Sequence, residues 1–380
     1  MKILVVNAIY YFPVSGINRV VTRIGEELVK RGHEYTVLTL HLHDSTEEVF
    51  HNGVRVIKLP YCKYNKWGAQ EGPNALRFLL DNVKEYDVVN SHNYYSFWSV
   101  FAALSCKKRG VPFVLTPHYH GRRGTKKGLY PLLYDVFSPL GRLSFRWAKT
   151  IICDSRYEEG LIAKVIQARK ARSVVVPCGV DAIVTTDKPR RTRARPSILY
   201  VGNLFESKGV QHLVDAVHLL RTHYREAVDL NIVGDGPYKS VLQDKILRYG
   251  LTDAVRFYHN LSQEELYQQY RDADIFALLS YSEAYGIVVA EALAMGIPCI
   301  VANAAALTEF TSESGCFGID YPPNTKQVAE LVLKLLERGV VVGPLSEKIR
   351  TWDKAAVDYE HIYTDVLRQT DEGAIPQHSS

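Results

Sequence analysis

The sequence lacks most of the features that would place it at a glance. Its six cysteines (Cys62, Cys106, Cys153, Cys178, Cys299 and Cys316) lie far apart and form no C-x-x-C pair. Several stand in apolar runs such as Ile151-Ile152-Cys153 and Pro298-Cys299-Ile300-Val301. That pattern suits buried free thiols in a reducing compartment, not a disulfide framework. No apolar run approaches the roughly 18 residues of a membrane-spanning helix. The first residues, Met1-Lys2-Ile3-Leu4-Val5-Val6-Asn7, hold an apolar run too short for a signal peptide, with no small-residue cleavage site nearby. A cytoplasmic location is expected. No G-x-G-x-x-G follows the first strand, which argues against a dehydrogenase, and no short repeat is visible. A net charge of +5 over 380 residues is too mild to argue for nucleic acid as a partner. Hydrophobic residues at 47% and charged residues at 23% exclude a disordered, collagen-like or disulfide-miniprotein chain.

The length suggests two domains at about 150 residues each. The charge, though small, is uneven. Between Gly121 and Lys149 there are seven basic residues and a single acid, Asp135. Short β-branched runs alternate with longer helical patterns through the first half, and the alternation restarts near Ile198. Strands that are apolar throughout and separated by helices imply parallel sheets covered on both faces. The expected fold is therefore α/β, with two doubly wound, Rossmann-like domains facing each other across a cleft. Residues 1–184 form the first domain, 185–196 a basic linker and 197–351 the second domain. The helical stretch 352–369 carries Trp352, Val357, Tyr359, Ile362, Tyr363 and Leu367 roughly on one face. It reads as a packing helix, and 370–380 as a disordered tail. Ligands of such sheets bind at the carboxyl ends of the strands, at the switch point.

The most informative stretch is Ser280-Tyr281-Ser282-Glu283-Ala284-Tyr285-Gly286-Ile287, continuing through Glu291 to Gly296-Ile297-Pro298. It follows an apolar strand and opens a helix near Gly286. Exposed N–H groups and the positive dipole end make that position an anion site suited to a diphosphate. Glu283 before the helix and Glu291 further along it can reach different parts of one long ligand, and a carboxylate accepting two hydrogen bonds suits a vicinal diol. A second strand–loop–helix, Tyr200-Val201-Gly202-Asn203-Leu204-Phe205-Glu206-Ser207-Lys208-Gly209, places Lys208 at a helix entrance, where it can meet phosphate oxygens. Ile232-Val233-Gly234-Asp235-Gly236-Pro237 is a further strand end with a glycine turn. In the first half, Tyr11-Phe12-Pro13-Val14-Ser15-Gly16-Ile17 joins the first strand to the first helix.

Together these segments resemble glycosyltransferase family 4, retaining transferases of the GT-B fold that use nucleotide-sugar donors. The Glu283…Gly286…Glu291 pattern followed by Ala-x-Ala-x-Gly-x-Pro carries most of the likeness. Val176-Pro177-Cys178-Gly179-Val180-Asp181 and the aromatic C-terminal helix add to it. The resemblance implies that the last helix crosses back to the first domain. It implies that Glu291 binds the ribose hydroxyls and Glu283 the donor sugar, while Lys208 and the N–H groups at Gly286 and Ile287 hold the diphosphate. Gly16 would let the first domain approach the same phosphates. Gly234, Tyr258, His259 and Tyr285 complete the donor-contact set, with Tyr258 and His259 bordering the base. His118, in Thr116-Pro117-His118-Tyr119-His120-Gly121, matches the family's site histidine. The catalytic set is then His118, Glu283 and Lys208. Asn203 departs from the family pattern, which has Arg there, and removes one charge from the phosphate site.

No metal or other cofactor is expected. Asp272-Ala273-Asp274 is a D-x-D, but it precedes a strand where the metal motif of the other large transferase fold ends one. His118-x-His120 with His92 lacks a Cys or carboxylate to complete a zinc set. The basic segment interleaves Arg122, Arg123, Lys126 and Lys127 with apolar and aromatic residues, as a helix resting on anionic lipid does. The expected partners are a nucleotide-sugar donor, UDP rather than GDP, a lipid-linked or surface-glycan acceptor, and an anionic membrane surface at its inner face. Two other readings fit the same build: a nucleotide-sugar epimerase and a two-domain solute-binding protein.

Overall fold

The apolar runs close into two parallel sheets, each inside its own unit. The computed structural model describes residues 1–8, 16–41, 45–60, 73–94, 96–120, 141–165, 171–181 and 195–374. One unit comprises Met1–Gly179 and the chain from Arg350 onward, and the other Val180–Ile349. The division falls a few residues before the break expected after 184, and most of the basic stretch 185–196 lies outside the described residues.

In the first unit, strands β1 (Lys2–Val6), β2 (Glu34–His41), β3 (Glu47–His51), β4 (Val54–Pro60), β5 (Val88–His92), β6 (Phe113–Thr116), β7 (Thr150–Cys153) and β8 (Arg172–Val175) form one sheet in the order β3-β4-β2-β1-β5-β6-β7-β8. The pairs are parallel except β3 with β4. β3 has no continuous apolar run and was not anticipated. Its exposed side carries cross-strand ion pairs, Glu48 with Arg55 and Glu47 with Lys58. The helix Pro73–Asn82 was likewise not anticipated. The inner strands are buried on both faces: Ile3, Leu4, Val5, Val6, Val88 and Val89 have no exposed surface. This is why they read as continuous runs rather than alternating ones.

The C-terminal helix Trp352–Ala374 belongs to the first unit and packs on the helix Gly16–Lys30. It runs past the expected end at 369. Its buried seam is Trp352, Ala355, Ala356, Tyr359, Ile362, Tyr363 and Val366, the three- and four-residue spacing of one helix face. Val357 and Leu367, expected on that face, are half-buried at its margin. Each large apolar side chain fully buried in this way is worth about 1.5–3 kcal/mol as an upper figure. Gly179 permits the close fit, since a Cβ there would lie 2.6 Å from the Trp352 Cα. At the rim Glu360 accepts from Arg31 at 2.6 Å and contacts His33 Nε2 at 2.9 Å; the Arg31 bond, with that of His33, lowers the Glu360 carboxyl below its usual range.

The short strand β9 (Gly179–Val180) straddles the boundary, and the second unit then holds β10 (Ser197–Val201), β11 (Asp229–Val233), β12 (Val255–Tyr258), β13 (Ile275–Leu278), β14 (Cys299–Ala302) and β15 (Cys316–Ile319). The last six make a parallel sheet in the order β12-β11-β10-β13-β14-β15. Two of its helices start at side-chain caps. Ser262 and Glu265 form a reciprocal capping box before Gln263–Asp272, and the Asn324 side chain caps Thr325–Arg338. Cys106, Cys153, Cys178, Cys299 and Cys316 are free and buried. Burial pushes the Cys316 thiol up to about 12. Among the described residues no helix is long and apolar enough to cross a membrane.

Candidate functional site

In the second unit the strand order reverses between β10 and β13, because β10 leads on to β11 on one side and β13 to β14 on the other. The carboxyl ends of those two strands are where such a sheet binds ligands. The chain leaving β10 passes Gly202, Asn203 and a short 3-10 turn, Glu206–Lys208, then enters the helix Val210–Thr222 through Gly209. The chain leaving β13 passes Glu283 and enters the helix Ile287–Ala294 through Gly286. The two connections are tied together, since Tyr281 N–H donates to the Ser207 carbonyl at 2.8 Å. Gly209 makes that approach possible: its φ is +77° and an added Cβ would lie 2.0 Å from the Leu279 carbonyl oxygen.

These connections bring Lys208 and Glu283 together, with Lys208 Nζ donating to Glu283 Oε1 at 2.7 Å. Gly286 caps the Ile287–Ala294 helix with φ +108° and no side-chain cap bond. Its N–H and those of the first turn are the ones a helix cannot satisfy internally. Glu291, one turn further, is buried, and Tyr270 Oη donates to its Oε2 at 3.0 Å. The carboxylate is thus aimed by a tyrosine from the preceding helix. Nothing in the local sequence announces that contact. Asn203 is exposed, and its carbonyl accepts from Tyr200 Oη at 3.0 Å.

The remaining expected donor residues of this unit fall in different places. Gly234 follows β11 and is half-buried, with its N–H on the Tyr258 carbonyl at 2.8 Å. Tyr258 ends β12, half-buried, and His259 is exposed beside it. All three therefore stand at the same carboxyl edge. Ile287 opens its helix, half-buried. Tyr285 instead turns inward: its hydroxyl donates to the Lys348 carbonyl at 2.9 Å and its ring lies against Phe310. Asp235 stays local, bonded to Gly236 N–H and paired with Lys239, which together lower its carboxyl below the usual range. The D-x-D lies before β13, at the opposite edge of the sheet. There Asp274 accepts from Ser197 N–H and Asp272 from Gln268. Among the described residues no group of three or more His, Cys, Asp or Glu side chains is arranged to hold a metal ion.

In the first unit His118 follows β6 with φ +49°, an uncommon backbone conformation for a side chain of that size. It is buried, and both ring nitrogens are engaged. Nδ1 meets Asp154 Oδ2 at 2.6 Å and Nε2 meets His92 Nδ1 at 2.9 Å. Asp154 follows β7, and its own N–H donates to Glu158 Oε2 at 2.6 Å. The other Glu158 oxygen accepts from Tyr119 N–H. Ser155 Oγ accepts from Glu158 N–H at 3.1 Å, so the same carboxylate belongs to the entrance of the helix Arg156–Val165. Burial, then the neighbouring Asp154 charge, push the Glu158 carboxyl well up. Burial, then His118, hold His92 well below the usual imidazole range. Sequence reading passed over Asp154 and Glu158. The signal was available in Cys153-Asp154-Ser155, an acid at the carboxyl end of an apolar strand. Gly16 is exposed at the start of its helix, while residues 9–15 of its loop lie outside the described residues. Arg122, Arg123, Lys126 and Lys127 also lie outside them.

The chain is similar to known proteins along nearly its whole length. A family model described as "Glycosyltransferase Family 4" matches residues 14–183, and one described as "Glycosyl transferases group 1" matches residues 185–356. An uncharacterized glycosyltransferase of Methanocaldococcus jannaschii is 26% identical over 368 residues, covering 90% of this chain and 92% of that protein. Among solved structures, sucrose-phosphate synthase from Thermosynechococcus elongatus superposes with a TM-score of 0.74 at 17% identity, over 98% of this chain and 97% of that one. The Anabaena protein HepE in complex with UDP-glucose gives 0.68 at 20% identity, over 98% and 99%. The fold is that of these GT-B transferases.

Proposed function

The chain belongs to the family 4 glycosyltransferases, and from that premise we propose that it moves a sugar from a UDP-sugar to a lipid-linked or surface-glycan acceptor with retained anomeric configuration. Membership in a transferase family sets aside both the epimerase and the solute-binding readings. The observation that carries the proposal is the Lys208–Glu283 pair at the switch point, beside the open helix end at Gly286. In the resting protein the two charges neutralise each other. A bound donor would separate them, with Lys208 and the N–H groups at Gly286 and Ile287 taking the diphosphate and Glu283 the sugar hydroxyls. Glu291, aimed by Tyr270, would hold the ribose. UDP is supported as the carrier by the UDP-glucose bound to HepE.

During transfer the bond from the anomeric carbon to the diphosphate breaks. A bond to the acceptor oxygen forms on the same face, and the acceptor's proton leaves with the departing phosphate. Negative charge grows on the diphosphate as this happens. A fixed lysine and a helix N-terminus stabilise it without reorganising, so the reaction needs no metal. The acceptor side belongs to the first unit, and we infer that the basic segment keeps it at the inner face of an anionic membrane. A thermal-shift screen against UDP-, GDP- and ADP-sugars in EDTA tests the donor assignment, since ligand at 100 times its dissociation constant adds about 2.7 kcal/mol. The expected result is a shift with UDP-sugars alone. A shift only with GDP- or ADP-sugars, or only after Mg²⁺ is restored, would overturn it.

A further inference from the structure

The first unit contains a hydrogen-bonded chain from the C-terminal helix to His118, and the donors and acceptors along it can be ordered. Thr116 Oγ1 donates to Asn90 Oδ1 at 3.2 Å. The Asn90 amide nitrogen then has two hydrogens to give, one to Tyr363 Oη at 2.9 Å and one toward His92 Nε2 at 3.4 Å. An imidazole that accepts at Nε2 carries its proton on Nδ1. His92 therefore donates from Nδ1 to His118 Nε2, across the 2.9 Å contact. His118, accepting there, carries its own proton on Nδ1 and donates it to Asp154 across 2.6 Å.

We propose that Asn90, held by Tyr363, is a positioning residue that fixes His118 as a neutral imidazole protonated at Nδ1, so that the C-terminal helix takes part in shaping the site. The proposal rests on the reading of His118 as the site histidine. The groups facing this chain come from several elements: Asp154 after β7, Glu158 on the following helix, Cys178, and Tyr359 and Tyr363 on the C-terminal helix. Burial is the main cause that pushes Glu158, Cys178, Tyr359 and Tyr363 up, toward their neutral forms. Asp154 Oδ2 is the oxygen that faces the His118 ring, at 2.6 Å. The opposite order of protons exists in principle. It requires the Asn90 amide to turn over, His92 to carry its proton on Nε2, and His118 to donate from its own Nε2, as an imidazolium while Asp154 stays ionised. An amide can serve either order. A carboxylate at position 90 accepts only, and serves the second alone.

That asymmetry is the test. Histidine side-chain ¹⁵N spectra of the full chain at mildly alkaline pH should show His118 neutral and protonated at Nδ1. Asn90→Asp should convert it to the imidazolium over the same pH range. In donor-saturation kinetics the same variant should lower kcat by about tenfold and leave the donor KM nearly unchanged, because a misassigned proton is felt mainly in the transition state. Tyr363→Phe removes one oxygen and should leave His118 as a mixture of tautomers, with a smaller fall in kcat; it carries the test if Asn90→Asp does not fold. Wild-type His118 found as the imidazolium, or protonated at Nε2, overturns the proposal. So does a converted spectrum in Asn90→Asp with kcat unchanged. Full activity of His118→Ala with the expected wild-type spectrum would instead remove the site reading beneath it, and the spectra tell the two failures apart.

Discussion

The two units prepare their polar groups in opposite ways. At the switch point of the second unit, Lys208 and Glu283 meet as opposite charges with 22% and 14% of their side chains open to water. In the first unit, His118 and Asp154 keep 4% and 5%. The first pair can be parted by an arriving ligand, because water and ligand oxygens replace what each loses. Parting the second pair would strand a buried carboxylate, which costs several kcal/mol. Lys208 and Glu283, which would change partners, are thus kept accessible and paired with each other. Groups that aim another residue are buried with their partners fixed.

The comparison has a backbone side, and it carries the largest expected effect. Gly209 and Gly110 share almost the same backbone, φ +77° and +76°. A Cβ on Gly209 would strike the Leu279 carbonyl at 2.0 Å, whereas nothing lies within 4 Å of one on Gly110. Gly110→Ala should cost only the left-handed strain, about 1–2 kcal/mol. Gly209→Ala should cost about 3 kcal/mol or more, since two connections must also move apart. Urea unfolding of both variants checks this. Equal losses would mean that the close approach at the switch point contributes nothing.

Next in size are the two carboxylates of the second unit. Glu291 is expected to hold the ribose, several bonds from the reacting carbon, so Glu291→Gln should mainly raise the donor KM. Glu283 is expected to hold the sugar as it gains positive character, so Glu283→Gln should lower kcat by about tenfold, or 1.4 kcal/mol. Donor-saturation kinetics of both folded variants decides. If Glu283→Gln moves only KM while Glu291→Gln abolishes kcat, the roles are reversed.

The same contrast explains what could be read in advance. The second unit's site is assembled from strand–loop–helix connections, each contiguous in sequence. Lys208, Glu283 and Gly286 were therefore legible from local pattern, and sheet order brought them together. The first unit's network draws Asn90 and His92 from β5, His118 from the loop after β6, Asp154 from beyond β7 and Tyr363 from a helix far along the chain. No spacing encodes such a set. Tyr363 could be read only as an apolar helix position, because its ring packs like one and only its hydroxyl joins the network. Edge strand β3 escaped for a related reason: it pairs with β4 along the backbone and carries charged side chains in place of the apolar run that marks an inner strand.

The smallest effect per residue is expected from the basic segment of the first unit, and it tests whether the division between accessible and buried groups extends there. If the basic segment is there to meet a membrane, Arg122, Arg123, Lys126 and Lys127 should contribute to membrane association and little to folding. Each basic residue near an anionic surface is worth about 1 kcal/mol, and the attraction fades beyond a Debye length of about 10 Å at 0.1 M salt. Sedimentation with vesicles containing anionic lipid should therefore weaken as salt rises and fall steeply when all four are changed to Ser. Arg142, Arg146 and Lys149 are exposed in the same segment and supply the comparison. If they too rest on the surface, changing them should weaken binding by a similar amount per charge; if only the first four touch it, they should matter little. Either result leaves the assignment of the four standing. Binding that is unchanged in the four-residue variant would show that the basic segment does not hold the membrane, and would return its charge to the role of a solvated surface.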